Sequence, residues 1–143
     1  MSRVQLALDV TDVDAAVEFY ERLFATPVAK RKPGYANFEI ADPPLKLVLI
    51  EAPEGGRLNH LGVEVMTAPE VTAAEARLTA DGLATTGVDE TVCCYAEKVE
   101  TWVTDPDGAK WEVYVKTADA EEMALRTIDS PSDAAGASGT CCA

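Results

Sequence analysis

Basic residues and histidine are scarce in this chain. Twelve lysines and arginines stand against 25 aspartates and glutamates in 143 residues, for a net charge of -13, and there is one histidine. With no basic patch to release counterions from a phosphate backbone, nucleic acid is not expected as a partner. No apolar run approaches the roughly 20 residues of a membrane-spanning helix, so no membrane is expected either. Met1-Ser2-Arg3 leads straight into a strand pattern instead of a signal peptide, which makes the expected location cytoplasmic. Cysteine is sparse too, but its four copies form two vicinal pairs, Cys93-Cys94 and Cys141-Cys142. In a reducing compartment such pairs stay as thiols and read as metal or metalloid ligands sooner than as structural bridges.

The length suits one domain with a core of its own. Val4 to Val10 alternates as a strand and ends at Thr11-Asp12, an N-cap signal. From Val13 to Phe24 apolar residues recur at three and four positions, which predicts an amphipathic helix. Val28 to Lys32, Tyr35 to Ile40 and Leu45 to Ile50 then read as three short strands, separated by Pro33-Gly34 and Asp42-Pro43-Pro44. Ala52 to Arg57 reads as a linker.

The pattern then starts again. Asn59-His60-Leu61-Gly62-Val63-Glu64-Val65 aligns with Val4-Gln5-Leu6-Ala7-Leu8-Asp9-Val10. Pro69 to Leu83 supplies a second helix, and Thr85 to Tyr95, Lys98 to Thr104 and Ala109 to Lys116 supply three more strands. Neither copy is large enough to bury its own sheet. The expected fold is therefore α+β: two tandem βαβββ modules, 1–56 and 57–117, pair into a curved eight-stranded sheet around a shared metal-binding cleft. Residues 118–143 read as a flexible, disordered C-terminal tail, helical only around Glu121 to Arg126 and too poor in apolar residues to order itself. It carries Cys141 and Cys142, a candidate pair for thiophile capture.

Gln5 and His60 occupy equivalent places early in the first strand of each copy. A lone histidine in an apolar strand is commonly a hydrogen-bonded structural residue. Glu112, between Trp111 and Val113, needs a cation if it faces inward and none if it is solvated. Together Gln5, His60 and Glu112 offer an amide oxygen, an imidazole and a carboxylate, a three-ligand set that leaves positions open and suits Fe(II) and dioxygen. The repeat places apolar Leu47, or a neighbour, where a fourth ligand would stand. In a regular strand neighbouring side chains point to opposite faces, so Cys93 and Cys94 act together only where the backbone leaves strand geometry. Otherwise one is buried and the other exposed.

At Glu18-Phe19-Tyr20-Glu21-Arg22-Leu23-Phe24, at Asn59 to Val65 and at Thr104 to Tyr114, the chain resembles the vicinal oxygen chelate superfamily, over roughly residues 3 to 117. That resemblance implies paired modules and a divalent metal in the cleft. Ser2 to Leu8, Lys32 to Phe38, Pro43 to Glu51 and Cys93-Cys94-Tyr95-Ala96 resemble, more narrowly, the organoarsenical carbon-arsenic lyases and the similar cadmium-induced proteins. The resemblance implies a nonheme Fe(II) enzyme that cleaves trivalent organoarsenicals with dioxygen to give arsenite. Gln5, His60 and Glu112 then hold the iron, and Cys93 and Cys94 hold the arsenic. A homodimer is a weaker implication. The competing expectation is a thiol protein that sequesters soft cations without catalysis. A glyoxalase-like isomerase lacks its second carboxylate at Leu47, and a thiol transferase leaves the cysteine pair unexplained.

Overall fold

The computed structural model of the chain describes residues 2–93 and 95–119, Cys93 by its backbone. The elements run β1 (Arg3–Val10), α1 (Val13–Phe24), β2 (Lys30–Lys32), β3 (Tyr35–Ile40), β4 (Leu45–Glu51), β5 (Arg57–Glu64), α2 (Ala68–Ala80), β6 (Asp89–Cys93), β7 (Ala96–Thr104) and β8 (Lys110–Asp119). Both helices begin where the sequence supplies caps. The Asp12 carboxylate accepts from the Ala15 amide, and Thr67 and Glu70 form a reciprocal capping box. Val13 and Val17 of α1 pack on Phe38, Leu47 and Leu49, while α2 buries Val71 and Leu78 and lies on β7 and β8.

The eight strands form one sheet in the order β2-β3-β4-β1-β5-β8-β7-β6. β1 pairs antiparallel with β5 at the centre, and each runs parallel to the last strand of its own module, β4 or β8. This is the paired-module architecture the repeat predicts. The helices cover one face of the sheet, and the other face lines the cleft.

Several boundaries shift. Thr85 to Val88 is not strand: Thr86 instead donates its amide to the Trp102 carbonyl and accepts the Trp102 amide on its hydroxyl, pinning the α2–β6 connection to β7. The last strand runs on to Asp119, past the module boundary at 117. The expected helical stretch around Glu121 to Arg126 and the pair Cys141-Cys142 lie outside the described residues.

Candidate metal centre and thiol hairpin

Period-2 alternation decides which side chains enter the cleft. β1 contributes Gln5, β5 His60 and β8 Glu112, exposed by 2%, 2% and 0% respectively. The Gln5 amide nitrogen lies 3.0 Å from His60 Nε2 and 2.5 Å from Glu112 Oε1, and His60 Nε2 lies 3.2 Å from the same oxygen. The three candidates thus converge on one point, and Glu112 faces inward. Gly62 makes the approach possible, since a Cβ there would stand 2.9 Å from Glu112 Cγ.

The imidazole is aimed by an irregularity in the sheet. Ala7 pairs with His60 and Leu8 with Leu58, so Asn59 is an extra residue in β5. Its amide donates to Asp9 Oδ1 at 3.0 Å, and its Oδ1 lies 2.8 Å from His60 Nδ1. An acceptor there would hold the proton on Nδ1 when a metal takes Nε2, the outer support that metal-binding histidines commonly have. On the other side, Tyr114 donates to Gln5 Oε1 at 2.5 Å. Turning the Gln5 amide over would offer Oε1 to a metal and leave the tyrosine oxygen to accept from the amide nitrogen.

Glu112 already has a cation near it. Lys98 Nζ lies 3.4 Å and 3.5 Å from its two oxygens and 4.4 Å from the centre of the Tyr114 ring. Burial opposes ionisation of Glu112, but the Lys98 charge and the hydrogen bonds from His60 and Gln5 outweigh it and hold the carboxyl well below the usual range. Burial first, and then the Glu112 charge, push the neighbouring Glu100 carboxyl up. With Lys98 present, the burial of Glu112 alone does not require a metal. The argument for one rests on Gln5 and His60 converging on the same oxygen, and an amide, an imidazole and a carboxylate fit a divalent ion of the Fe(II) type.

The strand register corrects the place of the missing fourth ligand. Gly62 pairs with Glu112 in the second module and Ala7 with Val48 in the first, so Val48 is the counterpart of Glu112. Leu47 turns the other way, into the core under α1.

Cys93 ends β6 and pairs with Ala96, the first residue of β7, and Tyr95 between them takes a left-handed φ of 59°. Cys93 therefore still has strand geometry, and Cys94 lies outside the described residues. β6 and β7 pair over five residues where β2 and β3 pair over three. The hairpin docks across the cleft on the first module: Lys30 Nζ donates to the Tyr95 carbonyl at 2.8 Å, and the Tyr95 and Tyr35 rings lie 5.3 Å apart.

Lys98, Glu100, Asn59 and Tyr114 are site residues that the sequence reading missed. Alternation along Lys98-Val99-Glu100-Thr101-Trp102 carries a signal for the first two, since Trp102, which packs edge-on against His60, marks the inner face. No such periodic signal exists for Asn59, which depends on the bulge.

Paired βαβββ modules with Gln5, His60 and Glu112 gathered on one face of their joint sheet have the architecture of the vicinal oxygen chelate type. The sequence pattern of the Glyoxalase/Bleomycin resistance protein/Dioxygenase superfamily matches residues 3–113, and the chain belongs to that superfamily. The chain is 61% identical over 122 residues to the cadmium-induced protein CadI of Mycobacterium bovis, covering 85% of this chain and 80% of that one. It is 50% identical over 151 residues to a trivalent organoarsenical cleaving enzyme of Thermomonospora curvata, covering 99% and 100%. Among solved structures, the 2,3-dioxygenase LapB of Pseudomonas sp. KL28 matches with a TM-score of 0.63 at 21% identity, over 82% of this chain and 42% of that one, a likeness of fold.

Proposed function

We propose that this protein is an Fe(II)-dependent dioxygenase that cleaves the carbon-arsenic bond of trivalent organoarsenicals and releases arsenite in the cytoplasm. One observation carries the reading: Gln5, His60 and Glu112 converge in the cleft onto which the Cys93-Cys94 hairpin docks through Tyr95. The full-length Thermomonospora relative, named for this cleavage, supports it.

Gln5 Oε1, His60 Nε2 and the Glu112 carboxylate would hold the metal from one side and leave the other open. Bound there, Fe(II) supplies the electrons that activate dioxygen. The thiolates of Cys93 and Cys94 replace the two exchangeable oxygens of a singly substituted trivalent arsenical. The carbon-arsenic bond then remains as the third substituent. Soft sulfur suits the soft metalloid better than the oxygen donors do. Tyr35, Tyr95, Trp102 and Tyr114 are all buried, and apolar surface of this kind would help exclude water from the reacting bond. Holding both reactants in one cleft is worth roughly 7 to 11 kcal/mol of barrier.

The test is arsenite release from methyl or aryl trivalent arsenicals by anaerobically Fe(II)-loaded protein, with and without dioxygen. Oxygen-dependent release that is lost in Glu112→Ala is the expected result. Tight arsenical binding without release in either condition would leave the second reading, a thiol protein that sequesters soft cations, which the 61% identity to CadI favours. Cys141 and Cys142 capture the thiophile for the cleft in this scheme, and turnover at low substrate concentration should fall when residues 130–143 are removed.

A further inference from the structure

All the lysines of this acidic chain except Lys32 and Lys110 line one cavity. Lys30, Lys46, Lys98 and Lys116 surround a space of about 20 Å³ whose wall continues through Gln5 and Tyr114. The arrangement reverses the sign of the chain locally. Among the described residues no carboxylate lines the cavity. Their acidic partners sit outside it: Glu39, against Lys46, is 55% exposed, Asp119, shared by Lys30 and Lys116, is 66% exposed, Glu64, whose charge also acts on Lys46, is 16% exposed, and Glu112 is buried beside Lys98. The two exposed partners are screened and offset little of the charge facing inward. Lys46 and Lys98 are only 8% and 6% exposed, so their ammonium groups have given up most of their water.

We propose that this lysine-lined cavity is a binding site for a compact monoanionic group of carboxylate size. The volume exceeds what a single water needs and has no room for an aromatic ring. The site touches the metal centre through Gln5 and the thiol hairpin through Ala96. An anion there is therefore either a free small ion or an acidic end of the organic substituent on arsenic. The second source rests on the lyase reading of the cleft, while the cavity and its charge do not.

The test begins with metal-free, full-length protein titrated calorimetrically with formate at constant ionic strength, with sulfate as the larger dianion. Saturable formate binding is expected, at least tenfold weaker in Lys46→Met and in Lys116→Gln, unchanged in Lys110→Gln, and not reproduced by sulfate. Absence of saturable formate binding, or equal binding by all the variants, overturns the site. A carboxymethyl trivalent arsenical and its neutral amide are then compared by Trp102 fluorescence on the iron-free protein. At least tenfold tighter binding of the acid, lost in Lys46→Met, assigns the anion to the substrate. Equal affinity for both, with formate still bound, assigns it to a free ion. If neither arsenical binds while formate does, the lyase reading fails and the anion site stands.

Discussion

Gly62 and Glu112 face each other across the parallel β5–β8 ladder so closely that no side chain fits between them: a Cβ on Gly62 would meet Glu112 Cγ at 2.9 Å and Gln5 Cβ at 3.4 Å. The position of Glu112, a donor in the proposed metal centre, thus depends on one missing methyl group. Gly62→Ala should displace Glu112 and weaken Fe(II) binding at least tenfold, with an overpacking cost of about 1–3 kcal/mol in stability. Anaerobic iron titration alongside thermal unfolding checks this, and wild-type affinity in the variant would contradict it.

Asn59 should act on the metal without touching it. Removing its oxygen in Asn59→Ala frees the His60 ring to rotate, and loss of such outer support typically costs about 10–100-fold in metal affinity. Asn59→Asp keeps an acceptor for Nδ1 but sets a second carboxylate against Asp9. It should hold metal better than the alanine variant while losing stability. Equal iron affinity in both variants would show that the Asp9–Asn59–His60 chain does not orient the ring.

Tyr114→Phe removes the hydroxyl that donates to Gln5 Oε1. Leaving a buried amide oxygen unpaired costs about 1–3 kcal/mol, so the metal-free protein should lose stability. Metal binding turns that oxygen to the ion and leaves the amide nitrogen without its acceptor. The variant should therefore bind Co(II) with an altered visible spectrum, reporting the changed set of the amide. An unchanged spectrum and an unchanged melting temperature together would remove Tyr114 from the site.

The thiol and oxygen sites should separate cleanly. Cys93→Ser or Cys94→Ser is expected to abolish binding of trivalent organoarsenicals, read by tryptophan fluorescence, and to leave iron binding largely intact. His60→Ala should do the reverse. A single variant that loses both functions would mean that the two sites do not work independently.

The sequence exposes those parts of the architecture that follow from repetition. Gln5 and His60 fall together because each opens the same strand of a repeated unit, and Glu112 stands inward as a carboxylate framed by apolar residues. What stays hidden depends on register. A shift of one position separates Leu47, which serves the core, from Val48, which faces the cleft, and repeat alignment without pairing does not resolve it. Asn59 reaches His60 because a bulge breaks the alternation that a reader of the sequence must assume. Lys98 is a different case. Its position in β7 is legible, but that it lies beside Glu112 depends on β7 pairing with β8.

The sheet is joined between its halves at β1 and β5, and the three donors straddle that seam, Gln5 on one module and His60 and Glu112 on the other. An ion shared by all three is therefore a clamp between two half-barrels, and its binding energy becomes folding energy. At a free metal concentration one hundred times the dissociation constant, linkage adds about 2.7 kcal/mol to the folded state. If the proposed site holds iron, starvation for the metal would then loosen the seam, and the supply of metal would set how long the protein survives as well as whether it turns over.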